Sequence, residues 1–285
     1  MSRAGSAATS ARTAQSSAST TARAVARGVG RALAQGAVTV VVLLAVWVAF
    51  LELLDVSPYV GKGPLDVYRY LFVGEDAATD RAEVLGLLVT TLGDAALGFV
   101  AGMVAAVVLA CLVVLSRGVA GTVMPVAMLV RSVPLIAMTP VLSMAFGRGT
   151  LTVAVIGGIV VLFPALVSMV FGLRSASPPM HDVVAVYGGS RWSRLRLVDL
   201  PSSLPAFFAS VRISVPGAIT GALIAEWLAT GQGIGYGVVS ALGRAQNDKV
   251  WALVVVVTVV SLVLYTVAQA LEALVLARTG TAPPR

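Results

Sequence analysis

Four long stretches of this chain carry no charged residue, and their length limits what the chain can fold into. The stretches are Ala32–Leu51, Ala95–Ser116, Gly149–Leu173 and Val250–Leu271. About 20 predominantly apolar residues are needed to cross the hydrocarbon core of a bilayer. Because backbone polar groups find no water in lipid, segments of this kind must be helices with internally paired backbones. The sequence therefore predicts an all-α membrane protein.

Two further apolar regions are interrupted by prolines and charged residues. They cover residues 124–146 and 204–230, and the interrupting residues are Arg131, Pro134, Pro140, Arg212, Pro216 and Glu226. Prolines at such positions favour kinks or unwound segments, which transporters place beside their cavities. Counting both regions gives six transmembrane helices. Charges inside spans are costly, and we expect Arg212 to pair with backbone carbonyls or with Asp94.

The distribution of Lys and Arg orients the six predicted spans. With the N-terminus inside, the inner segments hold twelve basic residues and the outer segments hold six. The positive-inside rule then places both termini and the segment around residues 174–203 in the cytoplasm. The formal net charge of +7 is thus explained by topology. A nucleic-acid partner is not expected, because no soluble domain could carry a basic face.

The ends of the chain and its reactive residues add little chemistry. Residues 1–31 are rich in Ala, Ser, Thr and Arg and contain no acid, which favours a disordered cytoplasmic tail over an organelle transit peptide. Residues 32–277 are expected to form the transmembrane domain, and residues 278–285 a second cytoplasmic tail. The single Cys111 excludes a disulfide framework, and the single His181 argues against a metal site. No cofactor is predicted.

A polar segment at residues 174–203 separates two apolar regions and has readable local structure. Pro178-Pro179 fits the first turn of a helix, where the missing N–H costs nothing. This predicts a short helix over Met180–Tyr187. Gly188-Gly189 is expected to end that helix, since glycine readily adopts the left-handed cap conformation.

A second short helix is predicted directly after the glycines. Ser190 is a favourable N-cap for a helix over Arg191–Val198, and Leu200-Pro201 is expected to stop it. Two short helices joined by a glycine turn would form a rigid projection on the membrane surface. The alternative is an ordinary amphipathic loop whose Arg side chains face lipid phosphates.

The same polar segment resembles a loop found in a known family. It reads D-V-V-x3-G-x9-V-x-L-P from Asp182 to Pro201. This is similar to the cytoplasmic EAA loop of permease subunits of bacterial ABC importers, with the pattern E-A-A-x3-G-x9-I-x-L-P. The glycine, the nine-residue spacing and the Leu-Pro match, whereas Asp182-Val183-Val184 stands where Glu-Ala-Ala is usual.

Three further runs resemble the nitrate/sulfonate/taurine branch of those permeases, and the resemblance covers roughly residues 85–275. Arg131-Ser132-Val133-Pro134 is similar to its R-x-I-P segment, and Gly188–Trp192 to its L-G-A-S-R-W run. Ala225–Leu228 with Gly233–Tyr236 resembles A-E-F/W-L followed by G-L-G-Y. Asp94 departs from the pattern, because a basic residue is common there.

The resemblance implies a six-helix permease that forms a homodimer around a central pathway in the cell membrane. It implies two cytoplasmic ATPase subunits and an external solute-binding protein as partners, besides membrane lipid, and a small anion or small organic molecule as solute. ATP hydrolysis is then expected in the partner, since the chain lacks a Walker sequence. The residues expected to couple to the ATPase are Asp182, Gly188, Gly189, Ser190, Arg191, Trp192, Leu200 and Pro201.

A glycine-rich run, Gly231–Gly237, follows the fifth predicted span. Its G-x-G-x-G spacing lacks the strand and helix of a dinucleotide site, so a tight re-entrant or surface turn at the outer face is predicted. Glu226, Gln232 and Tyr236 lie in or beside this run and are the candidate pathway residues. Glu226 could instead face the outer aqueous cavity or act as a structural anchor.

Two other classes of protein remain as alternatives. An ion-coupled secondary transporter would need intramembrane ionisable relays and repeat symmetry, and no internal repeat is visible. A membrane-embedded enzyme or assembly protein would need a catalytic or docking constellation, and no nucleophile–base or metal pair is present in the sequence.

Overall fold

The computed structural model describes residues 38–279, and the regular secondary structure in that range is helical. Two compact units divide the chain, the first ending at Asp66 and the second beginning at Val67. The described part of helix α1 (Val38–Leu53) is apolar. Helix α2 covers Pro64–Phe72. The predicted tail at residues 1–31 lies outside the described residues, as does most of the C-terminal tail.

Four helices of the second unit are long and apolar enough to cross a membrane. They are α3 (Ala77–Leu115), α6 (Thr150–Leu173), α10 (Leu204–Ala225, extended by a π-helical turn to Thr230) and α12 (Asn247–Thr279). The span predicted at Ala95–Ser116 is the second half of the 39-residue α3. The first half of α3 contains charged residues, so a search for long uncharged runs does not find it.

The predicted span at residues 124–146 is two helices rather than one. Helix α4 (Arg117–Ser132) and helix α5 (Leu135–Phe146) meet at an angle of 104°. Between them Val133 and Pro134 are extended, since a proline disfavours helical geometry in the residue before it. The kink expected at Pro134 is confirmed, whereas Pro140 and Pro216 lie inside continuous helices. Residues 38–279 thus contain four candidate spans, or five with this bent pair, and the prediction of six is not confirmed.

The core of the second unit lies where α3, α6 and α10 pack together, and glycines set their separation. A Cβ added to Gly98 would lie 2.7 Å from the Cα of Gly157. A Cβ added to Gly221 would lie 2.8 Å from the same atom. The backbone of α6 at Gly157 therefore lies close to both α3 and α10, and a side chain at Gly157 would force α6 away from α3. Small residues at helix crossings in membranes allow this kind of close packing.

Short helical elements connect the long ones. They are α7 (Pro178–Val186), α8 (Arg191–Arg194), a π-helical turn (Leu195–Asp199), α9 (Leu200–Ser202) and α11 (Gly233–Gly243). The second π-helical turn, Glu226–Thr230, ends α10. Each π-turn contains one residue more per turn than an α-helix, and such turns occur often at functional sites.

Candidate coupling loop and outer anchor

The polar segment folds as a helix, a glycine turn and a second helix. Ser177 is extended and the two prolines occupy the first positions of α7, as predicted. Gly188 follows with φ of +73°, the left-handed region that only glycine enters at little cost. The N–H of Gly189 donates to the carbonyl of Val184 at 2.8 Å. A Cβ on Gly189 would overlap the Val184 side chain, so the turn leaves no room for a side chain at that position.

The second helix begins as predicted but does not end where predicted. The Ser190 hydroxyl accepts a hydrogen bond from the N–H of Ser193 at 3.2 Å, which confirms the N-cap. Leu200-Pro201 does not stop the helix, because Pro201 lies in the first turn of α9, where no N–H is required of it. The chain instead passes from α8 through the π-turn and α9, with one turn at Ser203, into α10.

The tip of the loop is apolar and exposed. Val186 and Tyr187 at the end of α7 are 84% and 87% exposed, and Trp192 in α8 is 61% exposed. Asp182, in the middle of α7, is also exposed. Arg191 donates to the carbonyl of Leu115 at the end of α3 at 3.4 Å. The loop therefore lies at the same end of the bundle as the junction of α3 and α4.

A contact between His181 and Asp199 inside the loop was not predicted from the sequence. Nε2 of His181 lies 2.7 Å from Oδ1 of Asp199, and the Asp199 side chain is 2% exposed. Nε of Arg194 lies 3.7 Å from Oδ2 of the same carboxylate. The sequence contained a signal, because His181 lies in the first predicted helix and the acidic Asp199 comes directly after the second.

Glu226 forms the second polar centre, at the opposite end of α10. Its side chain is fully buried. Oε2 accepts a hydrogen bond from the Thr91 hydroxyl at 3.0 Å and from the N–H of Gly235 at 2.7 Å. Thr91 in turn accepts from the N–H of Ile234 at 2.8 Å. One carboxylate thus joins α3, α10 and the first turn of α11.

The glycine-rich run is a turn only at its start. Gly231 has φ of +73°, and from Gly233 onward the chain is helix α11, so the prediction of a turn over the whole run is wrong. Gly233 at the start of α11 also has a positive φ of +71°, and a Cβ there would overlap the Glu226 carboxylate. The structure does not bring the three candidate pathway residues together, because Gln232 and Tyr236 are exposed while Glu226 is enclosed.

The two arginines of the interrupted spans have different surroundings. Nε of Arg212 lies 3.2 Å from Oε2 of Glu272 on α12, so the partner is neither a carbonyl nor Asp94 as expected. The Arg131 guanidinium lies 4.7 Å from the centre of the Phe163 ring. It lines a cavity of about 440 Å³ bounded by apolar residues of α3, α4 and α6.

These features define a class of protein, a multi-pass helical membrane protein with a structured loop at one end of its bundle. The sequence matches the family described as "Binding-protein-dependent transport system inner membrane component" over residues 98–280. That match covers more than half of the chain, and the protein belongs to this family. It is a permease subunit of a transporter, and it is a multi-pass protein of the plasma membrane.

Individual relatives agree with the family. A probable ABC transporter permease protein of Haemophilus influenzae is 29% identical, covering 79% of this chain and 89% of the relative. A taurine transport system permease protein of Escherichia coli is 27% identical, over 82% and 86%. A putative aliphatic sulfonates transport permease protein of Bacillus subtilis is 25% identical, over 79% and 80%. The resemblance to the nitrate/sulfonate/taurine branch is confirmed.

Proposed function

We propose that this protein forms the translocation pathway of an ABC importer and couples to cytoplasmic ATPase subunits through the loop at residues 174–203. We propose further that it works as a homodimer with both termini in the cytoplasm, receiving solute from an external binding protein. The solute is a small anion or small organic molecule, by analogy with the relatives named for taurine and aliphatic sulfonates.

The observation that carries this proposal is the shape of the loop. Its backbone is fixed by Gly188, Gly189 and the Ser190 cap, whereas its tip presents Tyr187 and Trp192 to solvent. A rigid frame with exposed aromatic side chains is the pattern expected of a protein-binding surface, because aromatic residues dominate interface energetics. A loop that only rested on lipid would not need such a fixed backbone.

ATP-driven closure of the two ATPase subunits would then displace the loop, and the loop would displace α10. The helical run from α8 to α10 supports this route, since it is interrupted only by a turn at Ser203. Among the candidate pathway residues, Gln232 and Tyr236 are open to solute. The contacts of Glu226 favour a role in anchoring α11.

The test uses two substitutions at Gly188. A Cβ there meets nothing within 4 Å, so any effect comes from the left-handed backbone alone. Valine is strongly disfavoured in that region, whereas asparagine tolerates it. We expect Gly188→Val to insert normally into the membrane but to lose co-purification with the ATPase and transport-linked ATP hydrolysis. Gly188→Asn should retain both. Normal solute-stimulated hydrolysis by the valine variant would contradict the coupling role.

A further inference from the structure

Helix α7 carries much of the exposed tip, yet little packing holds it. None of its nine residues is buried. Its covalent connection to α8 is the turn at Gly188-Gly189, which holds only the C-terminal end of α7. A helix attached only by such a turn could swing without moving the rest of the molecule. A second point of attachment is needed if a push on α7 is to reach the membrane.

The contact between His181 and Asp199 supplies that second attachment. His181 lies near the start of α7, far from the glycine turn, and is 27% exposed. Asp199 is the last residue of the π-turn, 2% exposed. The backbone carbonyl of Asp199 accepts a hydrogen bond from the N–H of Ser203 at 2.9 Å, at the junction with α10. The pair therefore joins α7 to the base of α10.

The rest of the environment favours a fixed geometry at Asp199. Arg194, one π-helical turn earlier, lies 3.7 Å from its second oxygen, so both carboxylate oxygens face a cationic or donor group. Leu195 and Val198 beside it are buried. A carboxylate held in an apolar setting is strongly biased toward keeping its partners, because it would otherwise be left uncompensated.

We infer that His181 and Asp199 are a positioning pair that fastens α7 to the base of α10, so that displacement of α7 by the ATPase is transmitted to the membrane-spanning helix. This inference rests on the proposed coupling role of the loop. It assigns to the pair a task separate from binding the ATPase, which falls to the exposed tip. Loss of the pair should leave the partner bound and its hydrolysis running while α10 no longer responds.

The experiment follows α10 directly and needs no knowledge of the solute. Thr220 is an exposed residue of α10, and Cys111 is the only cysteine of the chain. In a Cys111→Ala background, a bimane fluorophore is attached to Thr220→Cys, and the complex with its ATPase is placed in nanodiscs. The emission is compared before and after addition of Mg-ATP with vanadate. The parent should show an ATP-dependent change in emission.

Two matched variants at position 181 then test the contact between His181 and Asp199. His181→Gln keeps a donor that can reach Asp199 and should retain the emission change. His181→Glu has the same size but places a carboxylate against a carboxylate, and the emission change should be lost while the ATPase still co-purifies and hydrolyses ATP. Arg196→Ala, an exposed cation of the same π-turn, is the control and should behave as the parent.

Two results would overturn the inference. One is an undiminished emission change in His181→Glu. The other is equal loss in the glutamine and glutamate variants, which would mean that His181 acts through something other than its contact with Asp199. A parent that fails to retain the ATPase at all would show that the proposed coupling role is itself wrong, and the inference would fall with it.

Discussion

The Thr91 hydroxyl donates to Glu226 across 135 positions of sequence, at 3.0 Å, and this single bond ties α3 to the end of α10. Because Thr91 also accepts from the N–H of Ile234, the two residues together hold the start of α11. Within the described residues the Glu226 side chain is fully enclosed. This enclosure leads to a specific prediction about the role of the carboxylate.

We expect Glu226→Ala to lower the stability of the protein rather than to alter solute passage selectively. The substitution removes the acceptor of the Gly235 N–H and one of two acceptors near the Thr91 hydroxyl, and an unpaired buried donor costs about 1–3 kcal/mol. The measurement is the melting temperature of the detergent-extracted protein by size-exclusion fluorescence. Gln232→Ala is the matched control, since Gln232 is exposed. Reduced uptake at an unchanged melting temperature would instead support a pathway role for Glu226.

Gly157 should tolerate no side chain. A Cβ there would lie 2.8 Å from the Cα of Gly98, so Gly157→Ala must separate α3 from α6, and overpacking of this kind costs about 1–3 kcal/mol. Gly86 is the control, because a Cβ at that position of α3 meets nothing within 4 Å. Thermal denaturation should show a loss for Gly157→Ala and no loss for Gly86→Ala. Equal effects of the two substitutions would argue against close packing at Gly157.

The Arg212–Glu272 pair should behave as a unit. Its atoms lie 3.2 Å apart, and the side chains are 27% and 16% exposed. Removing one member leaves a poorly solvated charge, which is worse than removing both. We expect Arg212→Gln and Glu272→Gln each to reduce the yield of folded protein, and the double variant to recover much of it. Additive losses in the double variant would show that the two charges do not stabilise one another.

The orientation of the chain can be tested at two exposed positions. Ser190 caps α8 and Asp76 precedes α3, at opposite ends of the molecule according to the distribution of basic residues. Single cysteines at these positions, in a Cys111→Ala background, should react with an impermeant thiol reagent from opposite sides of the membrane. Labelling of both positions in intact cells would show that the orientation is wrong.

Local features of this fold could be predicted from sequence, and contacts between distant segments could not. The turn at Gly188-Gly189 and the Ser190 cap follow from the conformational preferences of neighbouring residues, and both are confirmed. Uncharged length was sufficient to find α6, which matches its predicted span to one residue. Pro134 predicted a kink between α4 and α5, but the sequence did not predict the size of the angle.

The partners of buried charges could be identified only from the folded structure. Glu272 lies 60 positions after Arg212, and nothing in the local pattern around either residue indicates the other. The predicted stop at Leu200-Pro201 failed for a different reason. Pro201 lies in the first turn of α9, where no backbone N–H is required, so it does not end the helical run.

The two π-turns have a consequence for the angular placement of side chains. Within residues 38–279 the buried carboxylates are Asp199 and Glu226. Asp199 lies in the π-turn that precedes α9 and α10, and Glu226 lies in the π-turn that ends α10. Each π-turn adds one residue to its turn, and one residue corresponds to about 100° of rotation in an α-helix. Deleting one residue from either turn would therefore rotate everything beyond it by roughly that angle. Helical phase in the first of these turns therefore decides whether Asp199 points toward His181 on α7.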